Sequence, residues 1–202
     1  AIDTAIAGYS AHSTAHALVY ASEGHVHYCL TFPEATIVYD AATQRWHERK
    51  SDGLAYLRSR SHACFAQKNL VGDAVTGEIH ELDLDTYADN GAVIRRQVVA
   101  PPIHADGARA HMHAVELELE TGVGLQSGQG SDPQVALDWS DDGGYTWSSE
   151  HWLAVGKIGE RRKRVKWTRL GQFRDRVLRF TITDPVKVAL LGAYADVEAV
   201  QS

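Results

Sequence analysis

Wherever the chain shows a hydrophobic pattern, its period is two. Val115-Glu116-Leu117-Glu118-Leu119-Glu120 sets three aliphatic side chains against three carboxylates. Val135, Leu137 and Trp139 alternate with Ala136 and Asp138, and Val165 and Trp167 with Arg164 and Lys166. Leu178, Phe180 and Ile182 alternate with Arg179 and Thr181. Successive side chains of a strand point to opposite faces, so these runs predict half-buried strands. No segment sustains a 3.6-residue apolar stripe over three turns, as an amphipathic helix would. The pattern predicts an all-β chain, with Val115, Leu117, Leu119, Trp139, Trp167, Phe180 and Ile182 in its core.

Turn residues punctuate the same text. Asp89-Asn90-Gly91 closes one stretch, and Asp142-Gly143-Gly144 sits between two strands as a hairpin signal. Asp184-Pro185 is expected to divide a strand over 180–183 from another over 186–191, because proline interrupts a ladder. A glycine-rich loop runs from Thr121 to Pro133, with Gly122, Gly124, Gly128 and Gly130; its expected role is to position strands or touch a neighbouring subunit. A weak repeat relates Val38-Tyr-Asp-Ala-Ala-Thr-Gln-Arg-Trp-His-Glu48 to Val71-Gly-Asp-Ala-Val-Thr-Gly-Glu-Ile-His-Glu81, six matches in eleven positions at an offset of 33. Repeated hairpins point to β-propeller blades, although blades recur at about 40 to 50 residues, so the two copies are expected at different places in adjacent blades. A boundary near Gly91 to Arg96 separates residues 1–92, read as an incomplete set of propeller-like blades, from residues 93–202, read as an antiparallel β-sandwich.

Composition narrows the class. With 202 residues, 44% hydrophobic and 23% charged, the chain reads as an ordinary soluble globular protein. No apolar run reaches the roughly 18 residues of a membrane helix, and no basic segment leading into an apolar run marks a signal peptide. The single methionine is Met112 and the chain opens at Ala1, so it is expected to be a piece of a longer protein. Cys29 and Cys64 both sit in apolar company and are expected to be buried free thiols of a protein made in the cytosol. The net charge of −6 conceals a basic window. Between Lys157 and Arg179 ten basic residues face two acidic ones, a local +8 that leaves −14 elsewhere.

Four local features carry candidate chemistry. Ser140-Asp-Asp-Gly-Gly-Tyr-Thr-Trp147 fits the Asp-box pattern, with Ser140, Asp142, Gly144 and Trp147 in place. The Asp142 carboxylate can accept backbone N–H groups across the turn, Gly144 can take a positive φ and Trp147 can pack beneath. We read the box as a structural turn; the alternative is a carbohydrate-binding or glycan-cleaving module of a host-recognition protein. A sialidase would need an arginine triad and a tyrosine nucleophile, which the sequence does not place. His25/His27 and His111/His113 each project from one face of a strand; a structural zinc wants four ligands, so no metal and no cofactor are expected. Arg162, Arg164 and Lys166 form a cationic row if Val165 and Trp167 face the core, a candidate contact for duplex DNA or a neighbouring subunit. The preferred reading is that Glu116, Glu118 and Glu120 pair with the row across the sheet or that it is solvated. Hydrolase, zinc-protease and phosphate-loop motifs are not found, so no catalytic residue is proposed.

The chain as a whole resembles the packaged-DNA stabilisation proteins of short-tailed phages, the tail hub or nozzle subunits below the portal. The resemblance rests on Gly24-His-Val-His-Tyr-Cys-Leu-Thr-Phe-Pro33, Val38 to Glu48, Leu70-Val-Gly-Asp73, Gly77-Glu-Ile-His-Glu-Leu82 and Tyr87-Ala-Asp-Asn-Gly91. In the second half it rests on Gly122 to Pro133, Trp139 to Trp147 and Asp184-Pro-Val-Lys187. It spans about residues 20 to 198 and matches that family's C-terminal part; the N-terminal part is absent here. It implies a virion structural protein of the tail, made in the bacterial host cytoplasm. Such a subunit forms a homo-oligomeric ring, contacts other tail and portal-adaptor proteins and helps retain packaged DNA, with no enzyme activity.

Overall fold

A computed structural model describes residues 2–200. The chain divides into two compact units, residues 1–92 and 93–202. The first opens with a short helix, Ile2–Ala7, and a single 3-10 turn, His12–Thr14. Strands β1 (His16–Ser22), β2 (His25–Thr31), β3 (Thr36–Asp40) and β4 (Arg45–Arg49) follow as an antiparallel meander in the order β1-β2-β3-β4. Strands β5 (Ser59–Phe65), β6 (Lys68–Asp73) and β7 (Ile79–Leu82) make a second meander. A small hairpin of β8 (Ala88–Asp89) and β9 (Ala92–Val93) ends the unit.

Turn chemistry explains these hairpins. Asn90 and Gly91 take φ of 49° and 82°, the left-handed pair that lets a two-residue turn match the strand twist. Ala66 and Gln67 hold the same conformation between β5 and β6 without a glycine, at φ of 49° and 65°. The two repeat copies fall at different places, between the third and fourth strands of one sheet and between the second and third of the other. In both, an aspartate organises the turn. Asp40 accepts the Ala42 N–H at 3.0 Å and the Thr43 hydroxyl at 2.7 Å; Asp73 accepts the Val75 N–H at 2.7 Å and the Thr76 hydroxyl at 2.9 Å. The residue four places after each aspartate is left-handed, Gln44 in one and Gly77 in the other.

The core of this unit is thin. Leu18, Tyr20, Cys29 and Val38 form its buried apolar cluster, with Leu82 packed against it. Val19, Val26, Tyr28 and Trp46 lie exposed on the other face of β1–β4, and Phe65 and Ile79 are exposed on the second sheet. Among the described residues the unit consists of these antiparallel meanders and the small hairpin. Cys29 is buried, but Cys64 is exposed, contrary to expectation. It sits two residues before the Ala66-Gln67 turn, at the hairpin end where Phe65 is uncovered as well.

The second unit is a β-sandwich of nine strands among the described residues: β10 (Arg96–Val99), β11 (Ile103–His104), β12 (Ala110–Leu119), β13 (Gln134–Ser140), β14 (His151–Ala154), β15 (Val165–Thr168), β16 (Gln172–Phe173), β17 (Asp175–Ile182) and β18 (Leu190–Ala199). One sheet runs β10-β17-β13-β14, with β11 also on β17. In the other, β12 pairs with β15, β16 and β18. Fifteen buried apolar residues form the core, including Val115, Leu117, Leu119, Trp167, Phe180 and Ile182 as the alternation predicts. A bulge at His113 shifts the inward phase of β12 from Ala110 and Met112 to Val115, Leu117 and Leu119.

Three expectations need correction here. Trp139 packs against the core but is only partly buried. Ala136 and Asp138, expected on the solvent side of β13, are fully buried, because β13 is flanked by strands on both edges and Arg179 covers its outer face. Residues 186–189 are not a strand; β18 begins only at Leu190, after a stretch pinned by Arg96, which donates to the Val186 carbonyl at 2.6 Å and also to the Asp184 carbonyl.

Candidate functional site

The Asp box connects β13 to β14. Ser140 Oγ accepts the Gly144 N–H at 2.8 Å and donates to Asp142 Oδ1 at 2.7 Å. Asp142 accepts the Thr146 N–H at 2.9 Å and the Thr146 hydroxyl; these bonds, then that from Ser140, hold its carboxyl well below the ordinary carboxylate range. Gly143 and Gly144 take φ of 78° and 100°, and Trp147 Nε1 donates to the Gly144 carbonyl at 3.1 Å. The polar atoms of the motif are committed to one another, so the box acts as a clamp on a hairpin.

Behind the clamp lies a feature that sequence reasoning missed. The Arg179 guanidinium sits 3.7 Å from the centroid of the Trp147 ring and forms a two-pronged ion pair with buried Asp138. Asp138 and Arg179 are opposed in the β13–β17 register. Cross-strand opposition of a carboxylate and a guanidinium was the available signal, but it is readable only once the pairing of these strands is known. Arg176 is likewise internal: it donates to both Asp141 oxygens at 2.7 Å and to the Leu170 carbonyl at 2.6 Å, between the Trp139 and Phe173 rings. Two of the ten basic residues of the window therefore serve the fold.

Of the cationic row, Arg164 immediately precedes β15 and Lys166 stands on its exposed side, while Val165 and Trp167 are buried on the other. Arg164 grips Glu116 through two hydrogen bonds of 2.8 and 2.6 Å, which lowers the Glu116 pKa, and Lys166 is the register partner of Glu116. Glu118 instead accepts the Tyr194 hydroxyl at 3.0 Å, and Glu120 pairs with Lys187 at 3.1 Å. Arg162 lies in the turn before β15 and does not extend the row along the strand.

The histidine pairs belong to two different surroundings. The His25 and His27 rings stack 5.9 Å apart, and His25 Nδ1 bonds Asp40 at 2.8 Å. His27 also meets Tyr20 and His47, and Arg49 donates to His47 at 3.1 Å and to the Tyr20 hydroxyl. Burial, and after it the Arg49 charge, pushes the pKa of His27 and of His47 down. The His111 and His113 rings lie 4.4 Å apart, with His113 against Glu198 at 3.0 Å. A third acid–histidine group, Asp73, Glu78 and His80, brings its ligand atoms within 4.8 Å. Arg58 occupies the Asp73 carboxylate there, so a cation would have to displace a guanidinium.

A family model described as the bacteriophage P22 Gp10 β-sandwich matches residues 95–198, just over half of the chain and nearly all of the second unit. The chain belongs to this family. It corresponds to the C-terminal part of a P22-type packaged-DNA stabilisation protein, and it is a phage tail structural protein. No curated protein matches it. Among the described residues no helix is long and apolar enough to cross a membrane.

Proposed function

We propose that the chain is a non-catalytic building block of a short phage tail. In this reading, copies form a ring below the portal, contact other tail and portal-adaptor proteins and help keep packaged DNA in the head. The host cell makes the protein in its cytoplasm and the finished virion carries it. The observation behind this reading is the family match over the well-cored β-sandwich. The clamp geometry of the Asp box supports a scaffold role for that motif rather than glycan handling. The direct test is disruption of the gene in a producing phage. Particles that fill with DNA and then lose it, together with detection of the protein in intact virions by mass spectrometry, are the expected outcome. Stable infectious particles without the protein would overturn the reading. Contact with DNA is a separate element of it, resting on Arg162, Lys166 and their basic neighbours. Retardation of duplex DNA by the chain at low salt, lost at high salt, is expected; binding that ignores salt, or no binding, removes that element.

A further inference from the structure

The sheet built on β12 has two edges of opposite character. β18 pairs with β12 along its whole length, whereas β15 and β16 pair with separate parts of it. A strand has only two ladder edges, so β15 and β16 share one side of β12 and β18 takes the other. Trp167 of β15 donates to the His151 carbonyl of β14 at 2.8 Å, which places β14 and β15 on one flank of the sandwich. The remaining terminal strands, β10 and β18, therefore flank the other side.

That second flank is open. Val98 opposes core residue Phe180, and Ala193, Ala195 and Val197 oppose core residues Leu117, Val115 and Met112, so all four lie on the core side of their sheets. All four are nevertheless exposed, as are Leu190 and Leu191. The backbone of β18 is available as well. Val200 donates its N–H to the Arg109 carbonyl at 2.8 Å, so alternation turns the N–H groups of Glu198, Asp196 and Tyr194 toward β12. Those of Ala193, Ala195 and Val197 then point outward, along a ten-residue edge of the kind that templates strand addition.

Charge identifies the occupant. Residues 188–200 carry Asp196 and Glu198 and no basic residue. The opposite edge of the same sheet, β15 and the turn leading into it, carries Arg161, Arg162, Lys163, Arg164 and Lys166. Both edge strands run antiparallel to β12 and hence in the same direction, so one can be laid beside the other by rotation about an axis along the strands. A contact between two unlike surfaces that closes on itself generates a ring. We propose that copies of this chain join by sheet addition, the free edge of β18 in one copy receiving the Arg161–Thr168 edge of the next in parallel. The proposal rests on the reading of the chain as a multi-copy tail subunit and supplies the seam for it.

The test uses the full chain and measures mass in solution across a concentration series, by mass photometry and sedimentation. Ala195→Pro removes an outward N–H without touching the β12 ladder, and is expected to leave the far-ultraviolet circular dichroism intact while returning the assembly to single chains. Two charge-reversed chains guard against a folding effect: Asp196→Lys with Glu198→Lys, and Arg161→Glu with Arg162→Glu and Lys163→Glu. Each alone is expected to raise the half-assembly concentration about a hundredfold or more, and an equimolar mixture to restore it, because each then offers the other an opposite edge. If the basic-edge reversal assembles like the wild type, the seam is elsewhere or joins β18 to β18, and the proposal falls. It falls also if Ala195→Pro assembles normally, or if the wild-type chain stays single at every concentration. A single-chain protein still found in virions would leave the tail reading standing and remove only the seam; absence from virions would remove the tail reading.

Discussion

Residues 93–202 gather fifteen buried apolar side chains into one cluster, whereas residues 1–92 gather four. The first unit relies on polar organisation instead: aspartate-centred turns at Asp40, Asp73 and Asp83, the Arg58–Asp73 ion pair, and the Tyr20–Arg49–His47 contacts. Its apolar residues are present, but Val19, Val26, Tyr28, Trp46, Phe65 and Ile79 face outward. Hydrophobic stabilisation scales with area removed from water, so burial contributes more to the second unit than to the first. Both units expose apolar side chains, and what separates them is the size of the buried cluster behind their sheets.

Several changes test that contrast, beginning with the severest. Asp138→Ala strands the Arg179 guanidinium behind β13, and breaking a buried ion pair in this way costs about 3–5 kcal/mol. Urea unfolding should show the second unit melting earlier with the first unmoved; an equal shift in both would mean that they unfold together and would break the comparison. Leu137→Ala, a fully buried core position, should cost about 2–5 kcal/mol in the same unit. Val38→Ala removes about two methylene equivalents from the smaller cluster and should cost about 1–2 kcal/mol, read in the first transition.

Acid should sharpen the difference further. In the first unit burial, followed by Arg60 for His16 and by Arg49 for His27 and His47, holds these three histidines below 6.5. A histidine kept neutral by folding contributes stability above its unfolded value, and this is lost as the pH falls through 6.5 toward the folded value. Asp40 and Asp73 add to the loss at lower pH. Burial raises the Asp40 pKa, but bonds from Thr43, His25 and the Ala42 N–H outweigh it, and Arg58 leads the depression of Asp73. Their contribution is complete above 3.8 and disappears as the pH drops through their depressed values. Thermal melts from about pH 8 to about pH 5 should therefore lower the first transition. The smallest effect is expected from Lys68→Ala, which removes an exposed pair with Glu81 and should change stability by less than about 1 kcal/mol.

Much of the sandwich was legible in the sequence because β12 and β15 each have a wetter and a dry face, which alternation records directly. β13 broke the rule at Asp138, since a strand covered on both faces loses its period and a buried carboxylate reads locally as a solvent-facing one. β18 was nearly invisible: its inward positions Ala193, Ala195 and Val197 are small, and it is exposed along almost its whole length, so little contrast marks it. The two aspartate turns at Asp40 and Asp73 were visible as a repeat, yet their equivalence at Gln44 and Gly77 was hidden by different residue types in one conformation. The cluster of His27, His47, Tyr20 and Arg49 joins three strands, and sequence spacing carries no trace of it.

The pairing of β12 with β18 over ten residues also has a mechanical meaning. A pull directed along these strands loads their ladder in shear, so many hydrogen bonds must give way together. A pull across them peels the bonds one after another. A tail subunit under load would resist best with this pair aligned to the force, and the same pair marks where it would tear if turned sideways.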